Sequence, residues 1–238
     1  MTVYALGDLH LLGGDDKPMD VFGAHWTGHA EKIRENWLAR VQPEDTVLIP
    51  GDVSWAMYLE AAREDLAYIG SLPGRKILLR GNHDYWWNAI GQVRRVLPEG
   101  MFALQNDAFL LEDVLIAGAR GWLLPGSGEF SSEDEKIFRR ELVRLEMSLE
   151  AARRLSDSAP LIVMTHFPPT FQDGRETECT RLIAQYRADI CVYGHLHGGG
   201  IHNAFRGMLG NTRYLLASCD ALGFDPLPIW PSDTVLPS

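Results

Sequence analysis

The sequence predicts an α/β protein with more than one sheet, or a mixed one. Helical patterns alternate with short apolar runs in the first half, and shorter strand-like runs dominate later. Five of the apolar runs also end directly on residue types that bind metals. Val3–Leu6 leads into Gly7-Asp8-Leu9-His10, and Thr46–Pro50 leads into Gly51-Asp52. Lys76–Arg80 leads into Gly81-Asn82-His83-Asp84, Leu161–Thr165 into His166, and Asp189–Tyr193 into Gly194-His195-Leu196-His197. If these runs are neighbouring strands of one sheet, their ends set Asp, Asn and His along a common edge. That is where open α/β sheets hold their ligands.

The elements follow in order. Residues 2–6 read as the first strand, and 11–23, rich in Gly, Asp and Pro, as a loop. Ile33, Trp37, Leu38 and Val41 stand at helical spacing among charges, so 24–41 reads as an amphipathic helix. A strand over 46–50 precedes a helix over 56–70, stopped near Gly70 and Pro73. A strand over 76–80 precedes a short helical segment over 86–96. Residues 107–111 and 114–117 read as a hairpin.

The most regular helical pattern covers 131–155, where Ile137, Leu142, Leu145, Leu149 and Ala152 recur among many charges. Ser131 or Ser132 with Glu135 resembles a capping box at its start. A strand over 161–165, a helix over 174–188, a strand over 190–193 and a late strand over 214–217 follow. From about 223 the tail holds four prolines and reads as a segment extended over the surface.

The chain has 238 residues, enough to bury a substantial core without disulfides. The candidate ligands run from residue 8 to 197, so a cut between them would divide the site. A single domain over 1–238 is therefore expected. The net charge of −10 disfavours extended contact with nucleic acid or an anionic membrane, which rests on Lys and Arg neutralising phosphates. Cys179, Cys191 and Cys219 are odd in number and contain no C-x-x-C pair, which fits a reducing, cytoplasmic setting. No apolar run reaches about 18 residues, so no spanning helix is expected, and no secretory leader is read at the start.

The candidate ligands are Asp8, His10, Asp52, Asn82, His166, His195 and His197. Carboxylate, amide oxygen and imidazole together suit Mn²⁺, Fe, Zn²⁺ or Mg²⁺. Seven ligands exceed one tetrahedral ion and fit two divalent metal ions that keep open positions. Two such ions with Asp8 and Asp52 leave about two positive charges, a setting for a phosphate ester. In Asp8-Leu9-His10 and His195-Leu196-His197 the ligands stand two apart and share a side if the backbone is extended. Gly7, Gly51, Gly81 and Gly194 precede the ligands and are expected to allow tight turns.

Taken in order, Asp-x-His, Gly-Asp, Gly-Asn-His-Asp, a lone His and Gly-His-x-His resemble the calcineurin-like metallophosphoesterase superfamily over roughly residues 2–220. The stand-alone bacterial phosphohydrolases are the members most similar. The resemblance implies a sandwich of two mixed β-sheets flanked by helices. It implies one metal on Asp8, His10, Asp52 and His197, and a second on Asp52, Asn82, His166 and His195. It implies His83 as general acid or transition-state hydrogen-bond donor near the leaving oxygen, with Asp84 orienting it. The implied activity is hydrolysis of a small phosphomonoester or phosphodiester by metal-activated water. A non-catalytic metal-binding scaffold, a nuclease and a protein phosphatase are the competing readings.

Other residues have duller readings beside sharper ones. Arg120 suits bidentate phosphate contact, and Trp86 is a possible substrate wall although core packing is the plainer role for it and Trp87. His25 and His29 stand four apart, but a surface or packing role is favoured over metal binding. His202 reads as a loop histidine. The loop over 13–23 is placed to cap the cleft, with Lys17 as a candidate phosphate contact.

Overall fold

The computed structural model describes residues 1–12 and 19–231. The cleft-capping loop with Lys17, and the tail beyond 231, lie largely or wholly outside the described residues.

Two compact units divide the chain. The first takes Met1–Ala103 and the segment from Ala217 onward; the second takes Leu104–Leu216. Each is built on one mixed sheet. In the first unit, β1 (Val3–Ala5), β2 (Thr46–Ile49), β3 (Arg75–Leu78) and β4 (Met101–Ala103) run parallel, and β11 (Leu227–Trp230) pairs antiparallel with β1. In the second unit the order is β5 (Ala108–Leu111), β6 (Val114–Ala119), β7 (Leu161–Thr165), β8 (Ile190–Tyr193), β10 (Thr212–Leu216) and β9 (Gly207–Leu209). β6, β7, β8 and β10 are parallel, while β5 and β9 close the edges antiparallel. The expected pair of mixed sheets flanked by helices is present.

The central strands carry no polar alternation because both faces are covered. Every residue of β2, β6, β7 and β8 is buried, as parallel sheets require. In the first unit Val47, Ile49, Leu6 and Leu78 share a core with Ile33 and Trp37 of α1 (His29–Arg40), Ala62, Leu66 and Ile69 of α2 (Leu59–Gly70), and Val93 of α3 (Ile90–Val96). In the second unit α4 (Ser132–Leu155) packs on β5 and β6 through a stripe of Phe138, Leu145, Leu149 and Ala152. Their spacing is that of one helical face. α5 (Glu178–Gln185) is half the expected length.

Several expectations are corrected. The five junctions do not share one sheet: β1, β2 and β3 are neighbours in the first, β7 and β8 in the second. The capping box of α4 uses Ser131 and Asp134, not Glu135. The Asp134 carboxylate accepts from Ser131 N at 2.8 Å and from its Oγ at 2.6 Å. The helix expected over 24–41 begins only at His29, after Gly28 in the left-handed conformation. The described part of the Pro-rich tail is not a surface strap. Leu227 and Ile229 are buried, and the segment forms edge strand β11, a position that tolerates Pro228.

One buried charge belongs to the fold rather than the site. Lys76 in β3 is almost wholly buried, and its ammonium donates to the carbonyls of Gly70, at 3.4 Å, and Leu72, just past the end of α2. A cation there satisfies orphan carbonyls and meets the negative helix end. Burial pushes its pKa down to about 8, from 10.5. Lys76→Met leaves those carbonyls without this donor and should lose about 3 kcal/mol in urea denaturation at neutral pH. Between pH 8 and 10 the unfolded chain holds a proton that the folded chain has released. Wild-type stability relative to the variant should therefore rise across that window.

Candidate metal centre

In the first unit the candidate ligands leave the ends of parallel strands and run on side by side. Asp8 N donates to Gly51 O at 2.9 Å, His10 N to Asp52 O at 3.0 Å and Leu11 N to Val53 O at 3.0 Å. On the other flank Gly7 N donates to Ala217 O at 2.6 Å, and Cys219 donates through N to Gly7 O and through Sγ to Asp8 O, each at 3.0 Å. The ligand segment is thus held on both sides by backbone bonds.

The backbone there is not extended. Asp8, His10 and Asp52 have φ of 56, 45 and 51°, and His195 in the second unit has 73°. Non-glycine residues seldom occupy this left-handed region, although Asp, Asn and His enter it most readily. The two-apart spacing of Asp8 and His10 therefore does not act through strand alternation. Even so, a ligand atom of Asp8 lies within 4.8 Å of one on His10 and of one on Asp52. His10 Nε2 stands 3.8 Å from Asp52 Oδ2.

The preceding glycines serve a different purpose from the one expected. Of the four, only Gly51 has a positive φ, at 100°. Gly81 matters because a Cβ there would overlap the carboxylate and backbone N of Asp52, and a Cβ on Gly7 would come within 2.8 Å of Pro50. Their missing side chains permit close approach, and the left-handed turns fall on the ligands themselves.

Asp84 is wholly buried and takes a different role from the implied one. Its Oδ2 accepts from Gly81 N at 2.7 Å and Asp52 N at 2.9 Å. Its Oδ1 accepts from Val53 N at 2.9 Å, Ser54 N at 3.3 Å and Trp86 Nε1 at 3.0 Å. No bond joins it to the His83 ring among the described residues. It clamps the segment that bears Asp52 to the segment that bears Asn82. Burial, and then the Asp52 charge, push its pKa up to about 6, while the backbone N–H groups pull it back.

His83 is placed by other contacts. Its backbone N donates to Asp52 Oδ1 at 2.8 Å, and its Nδ1 lies 3.3 Å from the Tyr85 hydroxyl. Its ring sits 4.5 Å from that of Trp55 and 5.8 Å from that of His10, centroid to centroid. His10 stacks on the same indole at 4.9 Å. Trp55 is the residue that sequence reasoning missed. Its position three residues after Asp52 is the signal that was there to be used.

Trp86 and Trp87 are both fully buried, so Trp86 is a core residue and a donor to Asp84, not a substrate wall. His29 is buried as well. Its Nε2 lies 3.2 Å from His10 O, and burial lowers its pKa, so it supports the ligand segment from behind. His25 is half exposed, with Nε2 3.9 Å from an Asp220 carboxylate oxygen. Asn82 is half-buried beside Gly81.

In the second unit His166 is fully buried after β7, and its backbone N donates to Arg120 O at 3.0 Å. Gly194 N donates to His166 O at 3.1 Å, which ties the end of β8 to that of β7. The His166 and His195 rings lie 5.1 Å apart. His197 is the N-cap of a short 3-10 turn over Gly198–Asn203, which also carries the exposed His202. The Arg120 side chain is mostly buried. It covers the Trp122 ring at 4.6 Å and reaches Glu141 at 3.5 Å, so structural contacts occupy the guanidinium that was offered as a substrate contact.

The donor set fits divalent metal. Asp8, His10 and Asp52 are buried ionisable groups brought together on strained turns, and their oxygen and imidazole donors suit hard or borderline ions. Residues 1–199 match the family of calcineurin-like phosphoesterases. The chain belongs to that family. It is accordingly placed among metal-dependent phosphoester hydrolases. No curated protein matches it. Among solved structures, phosphopantetheinyl hydrolase from Mycobacterium tuberculosis is 16% identical with a TM-score of 0.57, covering 100% of this chain and 98% of that one. A protein of unknown function from Aquifex aeolicus is 15% identical with a TM-score of 0.49, covering 94% of each chain. The first of these likenesses supports the fold. No helix among the described residues is long and apolar enough to cross a membrane.

Asp84→Asn keeps the side-chain shape but turns an amide NH₂ toward backbone donors. Metal-stripped Asp84→Asn should lose about 3 kcal/mol in urea denaturation, because several buried N–H groups lose their acceptor. Wild-type stability combined with slow turnover would instead restore Asp84 to the role of orienting His83.

Proposed function

We propose that the protein hydrolyses a small phosphorylated molecule with two divalent ions. Asp8, His10, Asp52, Asn82, His166, His195 and His197 would hold them, with Asp52 shared. Family membership, the ordered motifs and the mixed donor set support this reading. When bound, Mn²⁺, Fe, Zn²⁺ or Mg²⁺ supplies Lewis acidity toward phosphoryl oxygens and makes water nucleophilic at neutral pH.

The chain's own residues supply the rest. His83 donates a proton to the leaving oxygen. The observation that carries this assignment is the placement of its ring on Trp55 beside His10, with Tyr85 at Nδ1. A histidine held there contributes no ligand to the set and remains available for proton transfer. Asp84 keeps the two ligand-bearing segments in register. Phosphomonoester and phosphodiester substrates share this chemistry.

The site is proposed to favour small anions over polyanions, since a net charge of −10 repels nucleic acid while a metal-loaded cleft attracts phosphate. A cytoplasmic setting is part of the proposal, supported by Cys179, Cys191 and Cys219, all buried free thiols. One domain spanning both units is part of it too, since the proposed ligands come from each.

His83→Asn should keep its metal and lose about 100-fold or more in kcat on an aryl phosphate. Full turnover by that variant would remove His83 from the chemistry. Asp52→Asn should lower metal content from about two ions per chain to one or fewer, read by elemental mass spectrometry. Two ions retained per chain would remove Asp52 as the shared ligand.

A further inference from the structure

The second unit contains a groove of about 600 Å³ that runs up to the candidate ligand His195. This is a volume for a whole organic group, not for a bare phosphate. Trp122, Phe167 and Phe171 supply much of its apolar wall, with Leu124 and Leu196 beside them. The aromatic wall is continuous with the site: the Trp122 and Phe167 rings lie 5.0 Å apart, and Phe167 lies 4.2 Å from His195. It is also held rigidly. Trp122 Nε1 donates to Asp134 at 2.8 Å, and Arg120 lies against the indole face.

The charges of the groove are one-sided. Glu129 and Asp173 line it, and no Lys or Arg does among the described residues. Two cations that touch its wall are already engaged on aromatic faces. Arg175 lies 3.6 Å over Phe171 and within 3.9 Å of Asp173, while Arg120 reaches Glu141. A second phosphate or a carboxylate would therefore meet Glu129 and an apolar wall, with Arg175 already paired to Asp173. Hydrogen-bonding groups are present nonetheless. Gln172 and Asn203 line the groove, and the buried hydroxyl of Ser127 has no partner among the described residues.

We infer that this groove holds the alcohol portion of the phosphoester, and that this portion is uncharged, partly apolar and carries amide or hydroxyl groups. The inference rests on the phosphoesterase reading and narrows its substrate to esters with one anionic end. Glu129 is its charge filter, and Phe167 and Phe171 are its apolar contacts.

Three esters test it on Mn²⁺-loaded full-length protein: phenyl phosphate, 6-benzamidohexyl phosphate, and the same amide with a para-carboxylate on the ring. The neutral amide should exceed phenyl phosphate by about tenfold in kcat/KM, and the carboxylated ester should fall about fivefold below the neutral one. Glu129→Lys, a change on an exposed residue, should narrow the second ratio by raising the carboxylated ester. Phe171→Ala should raise KM for the long ester more than for phenyl phosphate. Hydrolysis of all three at similar kcat/KM overturns the groove assignment and leaves the phosphoesterase reading intact. Failure to hydrolyse any of them overturns that reading and the inference with it.

Discussion

The candidate ligands of the first unit depend on one buried carboxylate. Asp84 accepts backbone N–H groups from residues 52, 53, 54 and 81, and so joins the segments that follow β2 and β3. Three candidate ligands in this unit, Asp8, His10 and Asp52, sit in left-handed turns, at about 1–2 kcal/mol each. Hydrogen bonds to a charged acceptor are worth about 1.5–3 kcal/mol each, so four of them are large enough to offset that strain. The strain and its remedy are built from the same segments. Asp52 is strained at φ, donates its N–H to Asp84, and accepts from His83 N through its own carboxylate.

This arrangement explains why Gly-Asn-His-Asp is a compact unit. Gly81 lets the Asp52 carboxylate approach, Asn82 is a candidate donor, His83 fixes Asp52 through its backbone and presents its ring, and Asp84 locks the segment in place. Each position has a separate task. Gly81, His83 and Asp84 each touch Asp52 directly.

The candidate ligands stand out in the sequence more than the means of holding them. Ligand types after buried runs are visible because strand burial and metal chemistry both constrain residue identity. The sheet assignment was not visible: β7 and β8 carry the same apolar signature as β1 to β3, and nothing local says which strands become neighbours. Short edge strands β4, β9 and β11 were missed for a related reason. Three or four residues give no periodicity, and the prolines around β11 read as loop although an edge strand accepts them. The role of Asp84 was misread because an Asp beside a His suggests a pair. Three of its partners are backbone groups 30 to 32 residues away, and backbone N–H donors leave no mark in a sequence.

Trp86 and Trp55 show how far residue type underdetermines role. Both are tryptophans within a few residues of a candidate ligand. Trp86 turns inward, where its indole N–H completes the shell of Asp84 and its ring fills the core. Trp55 stays half-buried and gives its ring to His10 and His83. What separates them is the local constraint. Trp86 follows a segment pinned inward by Asp84, whereas Trp55 follows the Asp52 turn, where Trp55 N donates to Leu11 O and ties it to the chain that leaves His10. The same pairing that aligns the ligands thus decides which indole faces them. The one indole thus meets both imidazoles, stacked on His10 at an interplanar angle of 22° and tilted at 48° against His83, which fixes where the two rings stand relative to each other.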